Sequence, residues 1–263
     1  MSVNTYQALI DQLLPAWQAK QHLATPDAGL PQPKSRAEGY AAQRALFEAT
    51  CESTMGWKIA ATSVAGQKHI GVSGPLAGRL LTSRCLKPEA NISLQNNLMR
   101  VMEPEFAFRI GKDITGSAGQ TLSTEHVMSQ VKDLHLAIEI PDSRWQDFVH
   151  IGEAMLLADF ACANQLVLGE AVSFPWRDLD LSQHAVQVLQ EGVVQALGSG
   201  ANVLGDPRVA LTWLANELIT HGMHLCEGDT VITGTCVVPV VMHEGTQIVA
   251  DFGVLGTLGI NVV

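Results

Sequence analysis

The stretch Val101-Met-Glu-Pro-Glu-Phe-Ala-Phe-Arg-Ile110 decides how this chain is read. It alternates as a strand does, so Glu103 and Glu105 project to one face while Met102, Phe106, Phe108 and Ile110 project to the other. His135-Leu-Ala-Ile-Glu-Ile140 repeats the pattern: Leu136, Ile138 and Ile140 share an apolar face and Glu139 lies opposite, with His135 and Ala137. Carboxylates on strands this apolar are costly unless something pairs them, because burial penalises an unpaired ionised group heavily. A hard divalent cation meets that cost with one partner. An all-oxygen set points to Mg²⁺ or Mn²⁺ ahead of Ca²⁺, and three protein ligands leave positions open to a substrate. The same pattern also suits a solvated sheet face, or pairing with Arg100, Arg109 and Lys132.

Composition narrows the class. Of 263 residues 47% are hydrophobic, which supplies a large core and argues against disorder. A net charge of -10 argues against nucleic acid or an anionic membrane as partner, while a small anionic substrate stays compatible if a metal reverses the local sign. The five cysteines are odd in number and widely spaced, as in a reduced, cytoplasmic protein. No apolar run approaches the roughly 18 residues of a membrane span.

Outward from the glutamates, the spacing of Leu9, Leu13, Leu14 and Trp17 predicts a helix over 6–20 that Pro15 should break or kink. Ser35-Arg-Ala-Glu38 is a capping box opening a helix over 37–52 that carries Tyr40, Arg44 and Phe47. Met55 to Ala61 reads as a strand with Lys58 opposite Trp57 and Ile59; a lysine there either snorkels to water or serves a site. Residues 62–85, rich in Gly, Ser and Pro, read as an irregular, lid-like segment. Helices are expected over 124–133 and 151–164, the latter containing Asp159, and strands over 165–168, 185–189 and 193–197. Asp142 and Arg144 leave the Glu139 strand, where they either reach the glutamates or form a surface pair. Asp206-Pro-Arg opens the clearest helix, with Val209, Trp213, Leu214 and Leu218 as its apolar set and Gly222 as its stop. Thr230 to Val238 is a strand running into a Gly turn; the hydroxyls of Thr233 and Thr235 and the turn's N–H groups suit a carboxylate ligand, and equally a plain structural turn. Strands over 247–253 and 257–263 finish the chain. No repeat or composition break divides it, so one domain over 1–263 is expected, mainly helical over 1–54 and β-rich over 55–263.

The ordered set Gly56-Trp-Lys-Ile59, Glu103-Pro-Glu105, Ala137-Ile-Glu139, Asp142-Ser-Arg144, Asn202-Val-Leu-Gly-Asp-Pro207, Trp213-Leu-Ala-Asn216 and Thr233-Gly-Thr235 resembles the 2-keto-4-pentenoate hydratase family. That family includes 2-oxohept-4-ene-1,7-dioate hydratase and 4-oxalocrotonate decarboxylase, and belongs to the fumarylacetoacetate hydrolase superfamily. The resemblance implies an α+β fold, a mixed β-sandwich roll with an N-terminal helical region, assembled as a homo-oligomer. It implies Mg²⁺ or Mn²⁺ on Glu103, Glu105 and Glu139, and a 2-oxo or 2-hydroxydienoic acid substrate. Lys58, Asp142 and Arg144 become the catalytic candidates, and Thr233, Gly234, Thr235, Asp159 and Ser73 the substrate-binding ones. The implied reaction is hydration to a 4-hydroxy-2-oxo acid in aromatic catabolism; decarboxylation, C–C hydrolysis and tautomerisation pass through similar enolates. Beside the metal, like charge and burial are expected to lower the Lys58 pKa. Two departures stand out. The lid motif, commonly acidic in the family, reads Gly71-Val-Ser-Gly-Pro75, and the usual Asp-Asn-Ala-Ser reads Asp159-Phe-Ala-Cys162. A base must then come from Lys58, His69, Asp142 or Asp159.

Overall fold

The computed structural model describes residues 5–27, 29–117 and 119–263. Two helices, α1 (Gln7–Ala19) and α2 (Arg36–Thr50), precede β1 (Thr54–Ala60), α3 (Val64–His69), β2 (Leu76–Leu81), β3 (Cys85–Leu86) and β4 (Ala90–Ile92). The long strand β5 (Val101–Ile110), α4 (Thr124–Ser129) and the second long strand β6 (Val131–Ile140) follow, then α5 (Glu153–Ala158) and β7 (Gln165–Ala171). The remainder is β8 (Ala185–Gln190), β9 (Val193–Ser199), α6 (Pro207–Thr220), β10 (Thr230–Thr235), β11 (Val240–Val241), β12 (Gln247–Asp251) and β13 (Thr257–Val262).

One eight-stranded sheet runs β2-β1-β10-β5-β6-β7-β3, with β11 pairing β5; a second, five-stranded sheet runs β4-β13-β12-β8-β9. The alternation of β5 and β6 assigns their two faces to different cores. Met102, Phe106, Phe108, Ile110, Leu136, Ile138 and Ile140 pack with Val188, Ile248, Ala250 and Ile260 of the second sheet. Ala107, Ala137 and Ile232 on the opposite face pack with Leu9, Leu13 and Trp17 of α1 and Leu46 of α2. The glutamates therefore project toward the helical layer, away from the sheet-to-sheet core.

Several local expectations are corrected. Helix α1 runs through Pro15, because Leu9, Ile10, Leu13, Ala16 and Trp17 are all buried and this packing outweighs the hydrogen bond that proline cannot make. Residues 62–85 are not irregular throughout. They contain α3 and the strand β2, which pairs antiparallel with β1. The glycines that suggested a loop include Gly78, where any Cβ would collide with the Phe160 carbonyl. The helix expected over 151–164 stops at Ala158, and Phe160, Ala161 and Cys162 follow with φ values of 50°, 49° and 63°. Three consecutive non-glycine residues in the left-handed region are held there by surrounding packing, since all three are buried. Helix α4 ends at Ser129, before β6 begins. In α6 the buried set is Ala210, Leu211, Leu214, Ala215, Leu218 and Ile219, while Val209 is exposed, so the packed face is rotated from the expected one. Asp206 caps this helix by accepting from the Arg208 N–H at 2.7 Å. Among the described residues no helix is long and apolar enough to cross a membrane.

The contact between β2 and the left-handed turn makes Gly78→Ala a sensitive probe. We expect it to cost about 1–3 kcal/mol of unfolding free energy in urea, the usual scale of an overpacked core position; unchanged stability would show that the approach is not constrained.

Candidate functional site

Four neighbouring strands build the site. Glu103 on β5 lies directly across the ladder from Glu139 on β6, and Glu105 is two residues along the same face. One carboxylate oxygen from each lies within 4.8 Å of the others. Glu105 and Glu139 are fully buried and Glu103 is partly exposed. The basic residues that might have neutralised them are engaged elsewhere: Arg100 pairs with Glu244, Lys132 with Asp133, and Arg109 donates to Thr230 Oγ1.

Two groups hold this face together. Lys58 on β1 is buried, with Nζ 3.1 Å from Glu139 Oε1 and donating to the Ala161 carbonyl at 3.1 Å. The Gly234 N–H donates to Glu105 Oε2 at 2.6 Å. That donor is aimed by a bulge: β10 uses three steps from Ile232 to Thr235 where β5 uses two from Ala107 to Glu105. Gly234 has φ +106°, and a Cβ there would collide with Thr62. Thr233 Oγ1 donates to the Phe106 carbonyl and Thr235 Oγ1 to the Val237 carbonyl. The turn's donors thus serve the protein itself, and the turn fixes Glu105.

Burial and mutual repulsion govern the electrostatics. Burial first, then Glu139, push the Glu103 carboxyl up to about 7 against the opposing pull of Lys58. Burial and the neighbouring glutamates raise Glu105 well above the usual range, and burial raises Glu139 against Lys58. In the cation-free protein burial lowers the Lys58 pKa, but Glu139, Glu103 and Glu105 together raise it further, so the net shift is upward. Glu105 Oε1 and Glu139 Oε2 are buried and accept no hydrogen bond. An all-oxygen donor set with orphaned carboxylate oxygens fits a hard divalent cation.

The other expected site residues lie around this cluster in different roles. Asp142 accepts from the Leu98 N–H at 2.8 Å and sits 3.1 Å from His22 Nε2. Arg144 and Asp159 form a buried pair at 3.1 Å, with the guanidinium 4.3 Å from the Trp17 ring centre. Asp159 also accepts from Ser143 Oγ and the Arg144 N–H. Burial pushes its carboxyl up to about 6 despite Arg144. Ser73 is exposed, and its N–H and hydroxyl both donate to Glu153. His69 is exposed on α3, edge-on to Phe148. Sequence reasoning passed over Thr62, His22, Glu153 and the Ala161 carbonyl. A backbone acceptor leaves no compositional signal; Glu153 reads only as a helix-start acid.

No protein-family model matches the chain. It is 33% identical over 183 residues to a 2-keto-4-pentenoate hydratase of Burkholderia vietnamiensis, covering 70% of this chain and 68% of that one. The chain belongs to the 2-keto-4-pentenoate hydratase family. A second hydratase of that name, from Paraburkholderia phymatum, is 30% identical over 234 residues, 88% of this chain and 87% of the relative. The structure of 4-oxalocrotonate decarboxylase from Pseudomonas putida G7, complexed with magnesium and adipate, superposes with a TM-score of 0.87 over 97% of this chain and 96% of that one, at 23% identity. The fold of this hydratase-family chain is therefore the α+β fold of that decarboxylase, and a putative fumarylacetoacetate isomerase/hydrolase from Oleispira antarctica shares it with a TM-score of 0.55 over 80% of this chain and 94% of that one, at 19% identity.

A pH dependence follows for the cation-free protein. The Glu103 carboxyl binds its proton more tightly folded, at about 7, than at its ordinary 4.5, so its stabilising contribution is full below 4.5 and is lost as pH rises through 7. In chelator, the melting temperature should fall across that window more steeply for the native chain than for Glu103→Gln; equal slopes would contradict the assignment.

Proposed function

We propose that this chain is a divalent-metal-dependent hydro-lyase that adds water to a 2-hydroxy-2,4-dienoate, or its 2-oxo-enoate form, to give a 4-hydroxy-2-oxo acid in aromatic catabolism. The observation that carries the reading is the buried carboxylate cluster of Glu103, Glu105 and Glu139 with Lys58 beside Glu139. Glu103, Glu105 and Glu139 would hold Mg²⁺ or Mn²⁺, which supplies Lewis-acid stabilisation to the anionic carboxylate and C2 oxygen of the substrate. The protein's own groups do the rest. An ammonium has three N–H donors; Lys58 directs two at Glu139 and the Ala161 carbonyl, leaving one for substrate or the attacking water. Held that way, Lys58 orients water or delivers a proton to the chain. The Gly234 N–H holds the Glu105 carboxylate in place and opposes the rise in its pKa. Asp142, Arg144 and Asp159 support the loop after β6, the strand that carries Glu139. The five cysteines, all unpaired, support a reducing, cytoplasmic setting. Homo-oligomeric assembly is part of the same proposal.

A second reading is favoured by one observation. The lid motif offers Ser73 where an acid is common, and decarboxylation needs charge stabilisation and one proton donor but no activated water. Product analysis after turnover in H₂¹⁸O separates the two: label at C4 of a 4-hydroxy-2-oxo acid supports hydration, while CO₂ release or an unlabelled keto isomer overturns it. Lys58→Met should lower kcat by about 10² or more, measured by the decay of dienoate absorbance; near-native turnover would remove Lys58 from the chemistry. Glu105→Gln should weaken Mg²⁺ binding sharply in titration calorimetry, and unchanged affinity would overturn the ligand set.

A further inference from the structure

We infer that Glu153, held by Arg36, is a latch that fixes the 63–75 segment over the carboxylate site and so encloses the substrate, an inference that rests on the hydratase reading above. The residues that flank the segment touch the site. At its start Thr62 packs against Gly234, the residue that holds Glu105. At its return Gly78 lies against the Phe160 carbonyl and the Lys58 side chain. Between these ends the chain has little apolar anchorage. Helix α3 buries none of its residues, Val64 is 83% exposed, and only Ile70 and Val72 pack partly against the core before Pro75. A segment with so few buried contacts opens at low cost, so its polar contacts decide its position.

Gln67 Nε2 donates to the Ala61 carbonyl at 3.0 Å near the start of the segment, and the contacts at its far end converge on one point. Glu153 Oε2 accepts from both the N–H and the hydroxyl of Ser73, each at 3.0 Å. Glu153 Oε1 pairs with Arg36 Nε at 3.1 Å, and Arg36 Nη1 donates at 2.8 Å to both the Pro75 carbonyl and Glu217. Arg36 begins a row at i, i+4 and i+7 along α2. The second member, Tyr40, accepts from the Ala77 N–H through its hydroxyl, and the third, Gln43, donates to the carbonyls of Ala77 and Leu157. One face of α2 thus holds residues 75 and 77, while its first member holds the acid that captures residue 73. A lone exposed pair would contribute little, but this is a network that captures one serine at two points. Glu153 also opens α5, which leads into the left-handed turn whose Ala161 carbonyl holds Lys58. The cover and the lysine are therefore positioned from the same helix. Glu153 and Arg36 act here as positioning residues for substrate enclosure.

The test is hydrogen exchange and kinetics on Glu153→Gln, with Ser73→Ala as the milder variant that keeps the backbone contact. Amide exchange over 64–73 should accelerate about tenfold in Glu153→Gln, the scale of one lost charge-assisted contact, and by less in Ser73→Ala. KM for a 2-hydroxydienoate should rise by a similar factor with kcat within about threefold, and Mg²⁺ affinity should be unchanged. Unchanged exchange overturns the latch. Faster exchange with unchanged KM overturns its part in enclosing substrate, and loss of Mg²⁺ binding in step with KM shows that Glu153 supports the whole site instead. If no dienoate is turned over, the hydratase reading fails while the exchange result still decides the latch.

Discussion

Three carboxylates share one face of a sheet beneath a layer of helices, and the rest of the molecule is arranged around the repulsion this creates. Within the protein the only groups that answer it are one lysine and one backbone N–H, among the described residues. That is too little charge for three ionised glutamates: burial raises the carboxyl pKa values of all three, and mutual repulsion adds to it at Glu103 and Glu105. A buried cluster left short of positive charge suits a cation, and the same carboxylates hold Lys58 in its charged form.

The irregular parts of the backbone are the parts that aim these groups. The bulge in β10 turns the Gly234 N–H toward Glu105, and the left-handed turn after α5 presents the Ala161 carbonyl to Lys58. Each depends on a neighbour with no side chain in the way: Thr62 fills the space over Gly234, and the Phe160 carbonyl fills the space over Gly78. Strain of this kind persists where surrounding packing over-determines it, and here it sits beside the carboxylates.

What the sequence revealed follows from which interactions have a periodic signature. Alternation placed Glu103, Glu105 and Glu139 on one side of two strands, and register brought them together. The cap of α6 and the capping box of α2, in which Ser35 accepts from the Glu38 N–H, were equally legible because each is a local residue-to-backbone contact. The reading failed where tertiary contact overrode local preference. Buried packing carried α1 through Pro15, and close approach explains a glycine-rich stretch that turned out to contain β2. Asp142 and Arg144 read only as residues near a strand end and Asp159 as part of a helix, since the partners His22 and Trp17 lie more than a hundred residues away in sequence. The direction of the Lys58 shift in the cation-free protein depends on the balance of three carboxylates against burial, which spacing alone does not give.

A family that supports hydration, decarboxylation and C–C cleavage on one fold must vary the groups around a constant centre. On the reading proposed above, the centre in this chain is the glutamate cluster with Lys58 and the variable part is the 63–75 segment, where Ser73 donates to Glu153. The measurement that tests the central claim most directly is anomalous diffraction from crystals grown with Mn²⁺. The account predicts one strong peak bounded by Glu103, Glu105 and Glu139, absent in Glu105→Gln crystals grown alike. A peak elsewhere, or none at that cluster, would contradict it.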